Sequence, residues 1–367
     1  MHEEKLSQLA LTLVPGLGDV LVKTLISYLG SAEAIFNTSV PKLVKVPGIG
    51  PNLARSIKGF DVSSAELTYR ALEKNGTKII FFTDPEYPQR LKTIYDAPAL
   101  LYYSGTSNLN HSRFLAIVGT RNATDNGKKF VRELIKGLVN TNVIIVSGLA
   151  YGIDIEAHKT ALEYNIPTIG VIASGLDIIY PQLHAKYAKK MTENGGLITE
   201  YPLKTKLDPS RFPARNRIIA GLADATLVVE AATKGGALIT ADLASGYDRD
   251  VFAVPGRFND EFSEGCNALI KNNIAQSITS AEDIQYYMQW PDKEVLEDIQ
   301  PINLDQNEFT VDEWVVISAL QKKDKGVHID DLAWSSKIIS GQLSNILLNL
   351  EFKGVVKVNP GKKYILN

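Results

Sequence analysis

Three observations predict an α/β fold with smaller modules at either end. Between residues 61 and 290, short continuous apolar runs alternate with helical patterns. Several of these runs stop at a glycine followed by polar residues, as in Ile117-Val118-Gly119-Thr120-Arg121. A purely helical stretch precedes this region, and a short segment mixing helices and strands follows it. Apolar strands alternating with helices mean a mostly parallel sheet covered on both faces. The central region therefore reads as an extended Rossmann-like domain.

Composition fits that reading. The chain has 367 residues, 45% of them hydrophobic and 22% charged, enough for two or three domains with real cores. The net charge of −2 excludes global attraction to polyanions, so nucleic-acid binding must come from a local patch. A single cysteine, Cys266, excludes an internal disulfide and fits a reducing compartment. Its surroundings, Glu264-Gly265-Cys266-Asn267-Ala268-Leu269-Ile270, suggest a small buried residue rather than a reactive thiol. The polar start Met1-His2-Glu3-Glu4-Lys5 is unlike a signal peptide, and no window has the apolar length of a membrane span. A cytoplasmic protein is expected.

Residues 1–60 read as helical with an internal echo. Val14-Pro15-Gly16-Leu17-Gly18 recurs as Val46-Pro47-Gly48-Ile49-Gly50, each followed by an apolar helical pattern. This resembles the helix–hairpin–helix (SAM-like) module, whose glycines let backbone N–H groups approach a phosphate. The alternative is a purely architectural turn. Few cations flank the hairpins: Lys23, Lys45, Arg55 and Lys58.

In residues 61–290 the expected strands are Lys78–Phe82, Ala99–Tyr103, Phe114–Val118, Val143–Val146, Thr168–Ile172, Gly196–Thr199, Ala225–Val229 and Asp250–Val254. Helical patterns fall at Gly127–Val139, Ile155–Tyr164, Ala214–Leu222 and Ala237–Tyr247. Residues 291–308 carry Pro291, Pro301 and six carboxylates against Lys293 alone, the composition of a solvated acidic linker. Residues 309–367 read as a winged helix. Its helices are Val311–Leu320, one opening at His328-Ile329-Asp330, and Ile338–Leu350. Its two strands are joined by Asn359-Pro360-Gly361-Lys362, a turn signal. The third helix lacks arginine, so protein contact competes with major-groove contact.

The chemistry-bearing stretch is Phe212-Pro213-Ala214-Arg215-Asn216-Arg217, running into an apolar helix. Pro213 suits a helix first turn, and that end of a helix favours anions. Arg215 and Arg217 join Lys204, Lys206 and Arg211 against one acid, Asp208. The candidate ligand is a phosphate backbone. The competing reading is a solvated loop with paired arginines, and residues two apart on a helix point in different directions. Gly119, Thr120 and Arg121 close one strand, and Gly148 follows another; ligands bind at such carboxyl ends. Lys234 and Gly235 sit in a loop that opens a helix and suits a phosphate.

Taken in series, Gly119-Thr120-Arg121, Ser147-Gly148 to Asp154, Ala157-His158, Asp177 with Tyr180-Pro181, Thr199-Glu200-Tyr201-Pro202, the Phe212–Gly221 run, Gly236–Ala241 and Val251–Gly256 resemble the DNA processing protein A (DprA/Smf) family. The chain departs from that pattern at Ala173–Asp177 and Gly246–Asp250. The resemblance implies a non-catalytic binder of single-stranded DNA in natural transformation and recombination. It implies a homodimer that protects incoming strands and loads the RecA recombinase. Arg121 would then meet a phosphate or base edge, Arg215 and Arg217 would hold phosphates, and Asn216 would donate a hydrogen bond or order the loop. Phe212 would stack on an unpaired base or serve as a packing staple.

Other chemistries lack their signatures. There is no Walker A run, and Gly127-Lys128-Lys129 lacks the upstream glycine and the following hydroxyl. There is no paired-glycine dinucleotide fingerprint. The five histidines form no metal pair, and no cofactor is expected. Asp154 and His158 share a helix face, yet read better as a cap and a packed histidine than as an acid–base pair. The rival function is a nucleotide hydrolase on the same fold, with Glu200 or Glu230 as general base.

Overall fold

The computed structural model describes residues 2–291, 309–321, 326–359 and 363–366. The chain divides into two compact units, Met1–Trp290 and Pro291–Asn367. Apart from Pro291, the expected acidic linker lies outside the described residues, as do turn residues 360–362.

Six helices open the first unit: α1 (His2–Leu13), α2 (Asp19–Leu29), α3 (Ala32–Asn37), α4 (Val40–Leu43), α5 (Pro51–Gly59) and α6 (Ser64–Lys74). The two glycine hairpins join α1 to α2 and α4 to α5. Leu9, Leu25, Ile57 and Leu72 form one core with Phe81, Leu100 and Tyr102 from the first two strands. The core of residues 1–60 thus continues into α6 and into the sheet.

The rest of the unit runs β1 (Lys78–Phe81), α7 (Gln89–Lys92), β2 (Leu100–Gly105), β3 (Phe114–Val118), α8 (Asp125–Gly137), β4 (Ile144–Ser147), α9 (Ile153–Glu163), β5 (Thr168–Val171), α10 (Ala185–Glu193), β6 (Gly195–Thr199), α11 (Arg211–Leu222), β7 (Ala225–Val228), α12 (Gly236–Gly246), β8 (Asp250–Ala253), α13 (Glu264–Lys271), β9 (Gln276–Ser277) and α14 (Ala281–Met288). All eight expected strands form; β9, two exposed polar residues, has no apolar signature.

The sheet order is β1-β2-β6-β5-β4-β3-β7-β8-β9, parallel from β6 to β9 and antiparallel at β1 and β2. β3 is fully buried, and its side chains alternate between faces. Phe114, Ala116 and Val118 join the core that includes Ile218 of α11 and Ala241 of α12. Leu115 and Ile117 join the opposite core, with Val131 of α8 and Ala157 of α9. Burial on both faces is why the strand reads as a continuous apolar run.

β4, β5 and β6 extend from β3 on one side, then the chain crosses back through α11 to place β7 on the other. That reversal separates the carboxyl ends of β3 and β7, the position where a doubly wound sheet opens a crevice.

The second unit contains α15 (Val311–Gln321), β10 (Val327–His328), α16 (Ile329–Ser336), α17 (Ser340–Phe352), β11 (Val356–Asn359) and β12 (Lys363–Leu366). Its sheet runs β10-β12-β11, and Val316, Leu332, Leu343 and Val356 share its core. His328, expected to open the second helix, is its cap: the ring accepts from the Asp330 N–H at 3.3 Å. No helix among the described residues is long and apolar enough to cross a membrane.

Candidate nucleic-acid interface

A cleft of about 1170 Å³ opens at the switch point, walled by the loops after β3 and β7 and by α11 and α12. Three loops are stitched together at its base. Thr120 donates its N–H to the Glu230 carbonyl at 2.7 Å, and Ile153 donates to the Thr120 carbonyl at 3.2 Å. Gly119 and Thr120 are half-buried at the end of β3, and the next side chain, Arg121, reaches solvent. Its guanidinium lies 5.7 Å from the centre of the Phe212 ring. It forms no salt bridge with a described residue.

α11 supplies the opposite wall, with Pro213 in its first turn as expected. Phe212 is half-buried, and Tyr180 meets its ring edge-on at 5.9 Å. Three residues further along the helix the picture changes. Arg215 is only 4% exposed. Its Nη1 donates to the Gly148 carbonyl at 2.7 Å and also to the Val171 carbonyl. A Cβ on Gly148 would lie 2.7 Å from the Arg215 Nη2 and from Asp154 Oδ2, so the glycine makes room for both. Arg215 therefore stands at the cleft wall with Nη1 committed to the sheet and Nε to Asn216. For Arg215, expected to hold a phosphate, the structure shows the two carbonyl partners, Gly148 and Val171, on the sheet side of the cleft wall.

Asn216 donates from Nδ2 to the Gly236 carbonyl at 3.1 Å, fixing the start of α12. It orders the loop, one of the two roles foreseen for it. Arg217 lies outside the cleft. Its Nη2 is 2.5 Å from Glu200 and 3.5 Å from Asp19 of α2. Successive helical residues turn by about 100°, so Arg217 faces away from the wall that Arg215 builds. For Arg217, expected to hold a phosphate, the structure shows these two carboxylate partners and a place outside the cleft lining.

The loop Ala231–Gly235 and the first turn of α12 complete the cleft. Lys234 and Gly235 are exposed, and Lys234 pairs with no carboxylate among the described residues. A helix start leaves its first N–H groups without intrahelical acceptors, which favours an anion. Gly148 is buried behind Arg215 and does not line the cleft.

Neither rival base faces the cleft. Glu230 accepts from the Thr124 N–H at 2.9 Å and the Thr124 hydroxyl at 2.5 Å, which anchors the start of α8. Glu200 is held on Arg217, and burial pushes its carboxyl up to about 7 against the pull of that guanidinium. Asp154 lines the cleft but accepts from the N–H groups of Gly148 and Ala150. Burial raises its pKa, and Arg215 opposes the rise. His158 is fully buried, with Nδ1 2.7 Å from the Thr168 hydroxyl on the next strand. Burial drives it down to about 3, so it stays neutral. The two form no acid–base relay. Cys266 is buried as expected, and burial lifts its thiol to about 12. No group of His, Cys, Asp and Glu among the described residues is arranged for a metal ion.

Sequence reasoning missed Tyr180 as a site residue. It lay in a quoted motif, but only tertiary packing brings it against Phe212. The nearby Arg211 guanidinium sits 5.1 Å from the Tyr201 ring centre, a second cation–aromatic pair.

From its elements upward this is a doubly wound α/β domain with a cation-bearing, aromatic-edged cleft at its switch point. A helix–hairpin–helix tandem precedes it in sequence and a winged helix follows. The chain belongs to the DNA recombination-mediator protein A family, whose model matches residues 78–289. Residues 9–58 match the SAM-like helix-hairpin-helix tandem, and residues 310–362 the DprA winged helix domain. The protein Smf of Synechocystis is 32% identical over 99% of both chains. The DNA processing protein DprA of Bacillus subtilis is 42% identical over 58% of this chain and 72% of its own. Among solved structures, DprA of Streptococcus pneumoniae superposes with a TM-score of 0.68 at 32% identity, covering 78% of this chain and 98% of that one. A Helicobacter pylori DprA, solved for its single-stranded DNA binding mode, gives a TM-score of 0.53 at 30% identity over 58% of this chain and 95% of its own.

Proposed function

We propose that this protein is a non-catalytic binder of single-stranded DNA that protects incoming strands and delivers them to a RecA recombinase. One observation carries the reading. The switch-point cleft offers exposed cations, Arg121 and Lys234, beside an accessible aromatic ring, while every nearby carboxylate considered as a base is engaged elsewhere. Cations that track a backbone, plus rings that accept any base, are what sequence-tolerant strand binding requires. The Helicobacter pylori relative binds single-stranded DNA, which supports the same ligand here. The recombinase step, the homodimer and a cytoplasmic place rest on family membership.

The test is a titration of labelled oligo-dT, with duplex and mononucleotides as competitors. Oligo-dT should bind more tightly than duplex, and mononucleotides should compete weakly. Tight mononucleotide binding with turnover would put the nucleotide hydrolase first. For delivery, RecA filament assembly is followed on oligo-dT precoated with single-strand-binding protein. The protein should shorten the lag, and Arg121→Ala should abolish that effect. An unchanged lag, with DNA binding verified in the same buffer, would leave a binder without a loading role.

A further inference from the structure

The loop after β4 carries the surface of the cleft toward α9 and α10. Ala150 lines the cleft, and Tyr151 beside it is exposed. This loop presses on the end of β3. A Cβ on Gly152 would lie 2.1 Å from the Thr120 carbonyl oxygen and 2.6 Å from that of Arg121. Gly152 also adopts φ of +78°, so the close approach and the backbone both call for glycine. Tyr151 stands edge-on to His184 at 5.2 Å, and the His184 ring is fixed by the Leu149 carbonyl, 2.8 Å from Nδ1. His184 leads directly into α10, which packs on α9. From Arg121 to α10 the groups form one continuous packed run.

Cations gather where those two helices meet. Lys159 of α9 and Lys186 of α10 both stand over the Tyr187 ring, their ammonium nitrogens 5.3 and 4.9 Å from its centre. The ring is half-buried and anchored on a small core that includes Ile155, Ala188 and Met191. An aromatic face attracts an ammonium without neutralising it. Neither lysine forms a salt bridge with a described residue, and neither do Lys189 and Lys190, exposed on the same helix. The carboxylates of the two helices do not offset them. Asp154 is buried and accepts from backbone N–H groups, and Glu156 holds Arg132. Only Glu163 and Glu193 remain, each the last residue of its helix. Two ammoniums ordered over one ring, with no counter-charge on them, make a place for a phosphate.

We propose that a single strand bound in the cleft leaves it past Tyr151 and continues onto α9 and α10, where Lys159 and Lys186, ordered by Tyr187, hold its phosphates. The proposal rests on the cleft as the strand site and adds a contact that the cleft lining does not include. Tyr151 offers an accessible ring between the two, on which a base stacks while the backbone passes from one group of cations to the next. Phosphates and ring faces are common to every sequence, so this stretch carries no sequence preference.

The test compares the full chain with Lys159→Gln/Lys186→Gln. Affinity is measured against salt for oligo-dT of 4 and 30 nucleotides. Each phosphate contact contributes about 0.7 to the log–log salt slope on single strands, so the double variant should lose about 1.4 on dT30. It should lose nothing on dT4, the ligand with the least reach beyond the cleft. Lys186 is exposed, so Lys186→Gln alone leaves the fold intact and should lose about 0.7 on dT30. Tyr187→Leu keeps both charges but frees them, and should weaken dT30 binding about threefold. Tyr187→Phe keeps the ring and should bind as the parent does. An unchanged slope on dT30 overturns the proposal. So does an equal loss on dT4, which would make the two lysines part of the cleft. A Tyr187→Phe protein as weak as Tyr187→Leu would overturn the role of the ring. Failure of the cleft reading is seen separately, as dT4 binding that ignores Arg121→Ala.

Discussion

Arg215→Met separates a structural arginine from a binding one. The guanidinium is buried, it donates to the carbonyls of Gly148 and Val171, and it is the cation that offsets the burial of Asp154. Methionine keeps most of the apolar stem and removes all of the donors. Removing one partner of a buried charged cluster costs about 3–5 kcal/mol. At roughly 2–4 °C per kcal/mol for a large unit, the main melting transition should fall by about 10 °C. The penalty should shrink at acidic pH. Without Arg215 the Asp154 carboxyl titrates still higher than in the parent, so its burial is unfavourable at pH 8 and relieved as it protonates. Adding Asp154→Asn should recover part of the loss, because the two groups are coupled. Thermal melts at pH 5 and 8 of the parent, both variants and Arg121→Ala make the assay. Arg121→Ala should stay within about 0.5 kcal/mol of the parent, being exposed. An Arg215→Met protein that melts within 2 °C of the parent, on the scale of about 2–4 °C per kcal/mol, would refute the structural assignment.

Three further outcomes follow from the same geometry. Glu200 has a folded pKa of about 7 against an ordinary 4.5, so the folded state binds the extra proton and stability falls as pH rises through that window. The effect is up to about 3 kcal/mol, and Glu200→Gln should remove that slope in melts from pH 4.5 to 8; an unaltered slope would place the titration elsewhere. Incubation with ATP, nucleoside monophosphates or labelled DNA should give no turnover, and activity lost in Glu200→Gln or Glu230→Gln would reinstate the hydrolase. A chain ending at Trp290, the end of a unit with its own cores, should keep oligo-dT affinity within a few-fold. A large loss in that folded truncation would put DNA contacts in the winged helix.

The sheet was legible because burial on both faces writes continuous apolar runs, as in Phe114–Val118. The position of the cleft was legible for a related reason: Gly119-Thr120-Arg121 ends a buried strand, and Arg121 has no carboxylate partner among the described residues. Arg215 and Arg217 were legible as cations but not as to their use. The Gly148 carbonyl that takes Arg215 lies 67 residues upstream, and Asp19 belongs to a different helical module. A run of cations counts charge, whereas burial and partners are set by which strand ends and helices the fold brings alongside. Glu230 misled for the same reason, since its anchor Thr124 is 106 residues away. Tyr180 carried no charge signal at all, and β9 is too short to carry a period.

The salt dependence of oligo-dT binding, in the parent and in Arg121→Ala/Lys234→Ala, tests the central claim most directly. Both side chains are exposed at the cleft and neither supports the fold. With two phosphate contacts removed, the log–log slope should fall by about 1.4, and affinity at low salt should drop at least about tenfold, which is 1.4 kcal/mol, with melting unchanged. A double variant that keeps the parent's slope and affinity would contradict strand binding in this cleft.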